Sequence, residues 1–410
     1  MDMIKEIRIE EGKLKVVFEI RDNGVVELKQ FDPFGRIDAK EKKREAEDFY
    51  PITEIQITGK GSRGMHAYKH NASSGSIDFT YQSHEITENE KGKELVIYTA
   101  TEYGAKGEYH MQFYPGTAAV QVWTVLKNEG TEAIGLEYVS SFIYQGLCQN
   151  GEKPYFEKTN VYTPCNSWDS ESQWRKNDCR EINLSGMAVD GFNTPGFGMN
   201  RYCYGGHSSW STCEYLPMGI CEDTECKETY FFQIEHSGQW LIEYGPSTGE
   251  RLYVALSGAT ESEQGWWKNL KPGDTFTTVP ACFGVSDGGV NEAMAELTEY
   301  RRKIRRPNED DEKLNVVFND YMNCLMGDPT EEKEKAIIDK AAEMGCEYYC
   351  LDCGWYDKGF WWDRVGEWKE SSERFPNTLK AVCDYAKEKG MVMGLWLEIE
   401  VMGVACELAN

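Results

Sequence analysis

Three short stretches near the end of the sequence combine groups that can do chemistry. They are Asn319-Asp320-Tyr321, Asp352-Cys353-Gly354-Trp355-Tyr356-Asp357 and Gly394-Leu395-Trp396-Leu397-Glu398-Ile399-Glu400. Each supplies carboxylates or amides together with an aromatic ring. That pairing suits a polyhydroxylated ligand, because such groups accept hydrogen bonds from ring hydroxyls while a flat apolar face covers the C–H side. Taken singly, each stretch reads more readily as loop polarity beside core aromatics. Taken together, they stand at the ends of three successive apolar runs, 314–318, 348–351 and 391–397. Polar and aromatic groups recurring at the same end of three strands favour a site.

Another reactive set leads elsewhere. Cys346, Cys350 and Cys353 include a Cys-x-x-Cys spacing of the kind used in redox and metal sites. However, Tyr348-Tyr349-Cys350-Leu351 reads as a buried strand. Alternate side chains of a strand point to opposite faces, so Cys350 and Cys353 diverge unless the strand ends between them. The six His form no HExxH pattern. No metal and no cofactor is expected.

The elements around these stretches alternate. After the run 314–318, Thr330 is a plausible N-cap with Glu331 and Glu332 in the first turn. The helix it opens buries Ile337, Ile338, Ala341 and Ala342, and Gly345 closes it. After the second run, Pro376 opens a helix with Leu379, Val382, Cys383 and Ala386 on one side, and Gly390 ends it. Strands alternating with helices imply a parallel sheet covered by helices. In parallel barrels, sites are built at the C-terminal strand ends.

Upstream, to about residue 285, the pattern is β. Leu14, Val16, Phe18 and Ile20 repeat at period two, then Asp22-Asn23-Gly24 leads into 25–28, a hairpin signal. Residues 107–114 and 119–126 flank Pro115-Gly116 in the same way. Residues 230–234 and 239–244 flank Ser237-Gly238, and 252–256 follows a turn at Gly245-Pro246. Many strands with closely spaced turns predict a large sandwich. Val290, Ala293, Met294, Leu297, Arg301 and Ile304 then share a helical face, which ends in a basic cluster and Pro307. The organisation expected is a β domain over 1–286, a helix and charged linker over 287–312, and the start of an α/β domain over 313–410.

Composition narrows the partners. The chain has 410 residues, 12 Trp and 23 Tyr, ample for a core and for a sugar-binding surface, and a formal charge of −25. Phosphate recognition needs clustered Lys and Arg, so neither nucleic acid nor an anionic membrane is an expected partner. Met1-Asp2-Met3-Ile4 shows no secretory signal, and no stretch reaches the roughly 18 apolar residues of a membrane span. With 14 scattered Cys, this reads as a cytoplasmic protein with reduced thiols.

The segment 316–403 resembles the family 36 glycoside hydrolases, the melibiase-type α-galactosidases. The matching pieces are Val317-Phe318-Asn319, Leu351-Asp352-Cys353-Gly354-Trp355, Gly366-Glu367-Trp368, Arg374-Phe375-Pro376-Asn377, Gly390-Met391 and the stretch 394–400. Leu270-Lys271-Pro272-Gly273-Asp274-Thr275-Phe276 and Ser286-Asp287-Gly288-Gly289 resemble the end of that family's N-terminal β-supersandwich. The resemblance implies a β-supersandwich followed by the first three βα units of a (β/α)8 TIM barrel. It also implies a retaining double displacement by two Asp residues. In the family both lie on later strands, the nucleophile in a Lys-x-Asp-type motif after the fourth. Both are therefore expected after Asn410, and no catalytic residue is assigned within this chain, which alone is expected to be inactive.

What the resemblance places here is pocket wall: Asp352, Cys353, Trp355, Trp396, Glu398 and Tyr321 as substrate-binding residues. Asp352 matches the first of two adjacent Asp residues that bind sugar hydroxyls, and Cys353 replaces the second, where no charge-assisted acceptor remains. Tyr321 stands where the family often has Trp, and Ile399 replaces the usual Pro of Glu-Pro-Glu. These departures suit α-N-acetylgalactosaminides as an alternative to α-galactosides. A different class of reading is a non-catalytic, carbohydrate-binding or structural β-sandwich. A homo-oligomer is compatible with either.

Overall fold

The computed structural model describes residues 5–35, 49–63, 69–185, 200–248, 251–357 and 359–409. The N-terminal residues 1–4 read above for a leader lie outside this set. The chain forms two compact units, Met1–Arg305 and Arg306–Asn410. Among the described residues, no helix is long and apolar enough to cross a membrane.

The first unit begins as the alternation predicts. Glu6–Glu11, Leu14–Ile20 and Val26–Pro33 form an antiparallel three-stranded sheet. Its second hairpin closes at Ile20↔Val26 around Gly24, whose φ of 86° suits glycine. Two larger sheets follow, of ten and six strands among the described residues. At the centre of the larger one, Ala105–Phe113 pairs with Ala119–Asn128 across Pro115-Gly116, as expected, and Glu228–Ile234 pairs with Ala281–Asp287. The smaller sheet is built on the 14-residue strand Ile134–Leu147. The layers meet through aromatic rings. Phe283 of the large sheet lies 4.4 Å from Phe142 of the smaller and 4.9 Å from Phe31 of the three-stranded sheet. All three rings are fully buried, each contributing about 1.5–3 kcal/mol by transfer from water.

Two turn expectations are corrected. Glu228–Ile234 and Trp240–Ser247 do not form a hairpin about Ser237-Gly238: the first belongs to the ten-stranded sheet and the second to the six-stranded one. Every residue of both strands is buried. The turn signal is genuine, but it carries the chain between layers instead of folding it back beside itself. Gly245-Pro246 is not a turn either. Both residues lie inside Trp240–Ser247, opposite Tyr253 and Leu252.

The helix expected after residue 289 spans Val290–Ile304 and buries Ala293, Leu297 and Tyr300 against Ile220, Phe231 and Cys282. Glu292 accepts the Gly289 N–H at 2.8 Å, satisfying one orphan donor at the N-terminus. The basic residues Arg301, Arg302 and Lys303 occupy its last turn, where they complement the helix dipole. The charged stretch that follows holds a short helix, Glu309–Lys313, capped by the Asn308 side chain on Asp310 N–H.

In the second unit the order strand, helix, strand, helix, strand is realised. Val317–Asn319, Tyr348–Leu351 and Val392–Leu395 form a parallel sheet with the middle strand central. The first strand starts later than expected because Leu314 has φ 53° and terminates the short helix. Glu331–Glu343 and Thr378–Glu388 are the two connecting helices. Thr330 caps the first, its hydroxyl accepting Lys333 N–H at 3.3 Å. Ile338, Ala341, Val382 and Ala386 pack with Phe318, Tyr349 and Met393 on one face of the sheet. The alternate row, Val317, Tyr348 and Val392, lies on the opposite face, where the two valines are 60 % and 54 % exposed.

Candidate functional site

Strand register decides which residues meet. Asn319 pairs with Cys350 and Cys350 with Gly394, so the chain leaves the three strands at neighbouring positions. Asp320 N–H donates to Cys350 carbonyl at 3.3 Å, and Trp396 N–H donates to Leu351 carbonyl at 2.9 Å. Both bonds extend the sheet by one residue and fix the exits.

Asp352 is the polar centre of this edge. Asn319 Nδ2 donates to its Oδ2 at 2.7 Å, and Cys353 N–H donates to its Oδ1 at 2.7 Å. A carboxylate oxygen has two lone pairs, so each retains acceptor capacity toward a ligand hydroxyl. The Asp352 N–H is in turn held by Asp320 Oδ1 at 2.8 Å. Asp320 is buried, and desolvation and the facing Asp352 push its carboxyl up to about 6 despite hydrogen bonds from the Asp352 amide and Glu334. Asp352 itself is half-buried. Its carboxylate is thus fixed in orientation and open on one side.

An aromatic cluster stands beside it. Trp355 Nε1–H donates to Trp396 carbonyl at 3.1 Å, tying the second strand end to the third. Trp396 lies 5.7 Å from Trp361, 5.9 Å from Trp368 and 6.5 Å from Tyr356. Tyr321 meets Trp361 edge-on at 5.8 Å. Tyr321, Trp361, Trp368 and Trp396 remain partly exposed, whereas Trp355 and Tyr356 are buried. The arrangement places partly exposed rings at the same strand ends as an oriented carboxylate–amide pair, a combination suited to a neutral sugar.

The loops are clamped from behind. Gly327 has φ 79°, and a Cβ there would meet the Trp361 ring at 2.3 Å. Gly354 has φ 93°, and a Cβ there would meet the Gly327 carbonyl at 2.3 Å. Buried Arg374 donates from Nη1 to Asp328 Oδ1 at 2.7 Å and Pro329 carbonyl at 3.0 Å, and from Nη2 to Gly359 carbonyl at 3.1 Å; its Nε donates to Asp357 carbonyl. One guanidinium thereby joins the loops after the first and second strands. Arg374→Lys is expected to destabilise this unit by about 2–4 kcal/mol, because an ammonium cannot donate in all those directions and leaves buried carbonyls unpaired. Thermal unfolding would check this, an unchanged transition counting against the clamp.

The residues singled out from sequence separate as follows. Tyr321, Asp352 and Trp396 lie together at the open edge. Trp355 sits behind them as a support. Cys353 is buried with its thiol pushed up by desolvation and by the Asp352 carboxylate, so it stays neutral. The second strand does end between Cys350 and Cys353, and both are free thiols. Glu398 is partly buried on the segment after the third strand. Asp320 and Arg374 figured only as members of longer stretches and not as substrate-binding residues, and Trp361 was not singled out. Asp320 carried a signal close to that of Asp352, a carboxylate one residue beyond the end of an apolar run.

Comparison with known proteins agrees with this geometry. The family model described as Melibiase matches residues 275–410. Alpha-galactosidase Mel36A of Lactobacillus acidophilus is 26 % identical over 373 residues, covering 88 % of this chain and 47 % of that protein. The alpha-galactosidase of Escherichia coli is 35 % identical over 190 residues, 44 % of this chain and 25 % of that protein. The crystal structure of the family 36 alpha-galactosidase AgaA of Geobacillus stearothermophilus superposes with a TM-score of 0.78 at 18 % identity, covering 98 % of this chain and 58 % of that one. The chain thus spans about half the length of relatives whose fold it shares almost throughout. On its sequence matches, residues 275–410 of the chain are similar to the melibiase family.

Proposed function

We propose that this chain is the N-terminal part of a retaining α-galactosidase acting on terminal α-galactosyl residues of oligosaccharides, and that its second unit opens a (β/α)8 barrel. The observation that carries the reading is the carboxylate–amide pair Asp352–Asn319, held at 2.7 Å beside the Trp361–Trp396 cluster at three parallel strand ends. Parallel barrels build their sites at such ends. The row Val317–Tyr348–Val392, whose two valines are exposed, supports the barrel, because parallel strands are normally covered on both faces. The substrate class draws support from relatives: substituted variants of AgaA form complexes with raffinose and with stachyose.

In this reading the chain supplies binding and orientation. Asp352 accepts hydrogen bonds from adjacent sugar hydroxyls, Asn319 fixes the carboxylate, and the aromatic rings cover the C–H face. The attacking and acid/base carboxylates of the double displacement are supplied by later strands of the barrel. Cys353 gives α-N-acetylgalactosaminides a specific claim as second reading, since a buried neutral thiol stands where a second hydroxyl-binding carboxylate is usual.

Calorimetric titration of the chain with galactose, N-acetylgalactosamine and glucose separates these readings. Galactose is expected to bind, and preference for N-acetylgalactosamine would move the specificity to the second reading. Binding of none of the three would leave a structural domain and overturn the proposal. On p-nitrophenyl α-galactoside the chain alone is expected to show no turnover, because losing a covalent nucleophile costs many orders of magnitude. Turnover near that of a complete relative would show that the catalytic pair lies within these 410 residues.

A further inference from the structure

Behind the candidate site lies a second acidic pair that the binding reading does not use. Asp320 stands at the end of the first strand, and Glu334 on the helix that follows; both are buried, Glu334 completely. Each carboxyl group takes part in a hydrogen bond with the other. Asp320 Oδ1 also accepts the Asp352 N–H at 2.8 Å, and Glu334 Oε2 accepts the Tyr349 hydroxyl at 2.6 Å. Glu334 Oε1 is buried and has no N–H or O–H donor among the described residues.

Other groups facing the pair are Asp352 after the second strand, Tyr349 and Cys350 on that strand, Cys353 beyond it, Cys324 on the loop after the first strand, and Lys333 on the helix. Lys333 is the cation among them, and it extends to Asp328 at 2.5 Å. Two carboxylates cannot hydrogen-bond without a proton, and two buried like charges in contact repel strongly.

We propose that Asp320 and Glu334 share one proton, and that this carboxyl–carboxylate pair is the positioning device that holds the Asp352 strand end in its sugar-binding orientation. The proton sits between the two groups, leaving Asp320 Oδ1 free to accept the Asp352 amide. Removing it places two repelling charges beneath that amide and loosens the exit of the second strand. The electrostatics point the same way: burial, and then the negative Asp320, raise the Glu334 carboxyl to about 8. The link to sugar binding rests on the function proposed above, while the shared proton does not.

The sign follows from linkage. A carboxyl raised in the folded state binds its proton more tightly there than in the unfolded chain. The stability it confers is full below the unfolded value near 4.5 and is lost as pH rises through the folded value. Glu334→Gln and Asp320→Asn each replace the shared proton by an amide donor that does not titrate.

The test compares the full chain with both variants by three readouts. Infrared spectra near pH 6 are expected to show a stronger protonated-carboxyl stretch in the native protein than in either variant, where only other buried carboxyls such as Glu27 contribute. The native unfolding temperature of the C-terminal unit is expected to fall by several degrees between about pH 5 and pH 8, and that of the variants to fall less. Galactose affinity, read by indole fluorescence, is expected to weaken several-fold over the same interval in the native chain and to stay level in Glu334→Gln. If Glu334→Gln does not fold, Asp320→Asn carries the comparison. The proposal is overturned if the protonated-carboxyl stretch is equally strong in native and variants and their pH profiles superimpose. If the infrared and unfolding differences appear while galactose binds at no pH, the proton pair stands and the function proposed above fails. Galactose affinity that falls equally in native and variant would sink the positioning role.

Discussion

Replacing Asp352 by asparagine is expected to weaken galactoside binding by about 10–150-fold while leaving the unfolding temperature nearly unchanged. Asp352 contributes through charge: its two oxygens already accept Asn319 and the Cys353 amide at 2.7 Å, and each has a lone pair left for a hydroxyl. A hydrogen bond to a charged acceptor is worth about 1.5–3 kcal/mol, so losing the charge toward the sugar gives the stated range. An asparagine can keep one carbonyl acceptor for the loop, so the local fold should survive. Titration calorimetry of the chain, and kcat/KM in a complete enzyme, would report the loss. The opposite result, a lower unfolding temperature with native affinity, would show that Asp352 holds the loop and not the ligand.

Glu243→Ala is expected to destabilise the β unit by about 3–5 kcal/mol, the cost of stripping one partner from a buried charged network. Glu243 is fully buried in Trp240–Ser247. It receives His70 N–H at 2.8 Å on Oε1, His70 Nδ1 at 2.8 Å and Arg201 Nη1 at 2.9 Å on Oε2, and the Tyr253 hydroxyl at 2.6 Å on Oε1. Burial alone would raise this carboxyl, but the charge and hydrogen bonds of His70 and the Tyr253 hydroxyl outweigh it and hold it down at about 2. A depressed carboxyl stabilises the fold above its unfolded value near 4.5, and that stability is lost as pH falls toward 2. The native chain should therefore lose stability over that acid interval more steeply than the variant. Chemical denaturation at neutral pH and at about pH 3 would measure both effects, and equal stability of the two proteins would show that the network contributes nothing net.

Local pattern made much of this protein legible. Period-two alternation located Leu14–Ile20, and Pro115-Gly116 marked a true hairpin, because burying one face of a strand leaves its signature in neighbouring residues. Helices Val290–Ile304 and Glu331–Glu343 announced themselves by apolar spacing and capping. At the site, Asp352 and Trp396 could be singled out because a parallel strand delivers its next residue to the sheet edge, and the end of an apolar run is visible in sequence.

Other features depended on contacts between distant segments. Ser237-Gly238 looks the same whether the following strand returns beside its neighbour or crosses to the other layer; the choice is made by which sheet can bury Trp240–Ser247 on both faces. Nothing local to Arg374 says that its guanidinium reaches the carbonyls of Pro329 and Gly359, and nothing local to Glu334 says that it meets Asp320. Glu334 reads in sequence as one more solvated glutamate in Glu331-Glu332-Lys333-Glu334. By itself, then, the sequence determined the types and ends of most elements and the polar–aromatic character of the strand exits. Tertiary structure decided which layer each strand joined, which carboxylate stayed open and which was driven into a shared proton, because register and burial set the distances and dielectric that act on each charge.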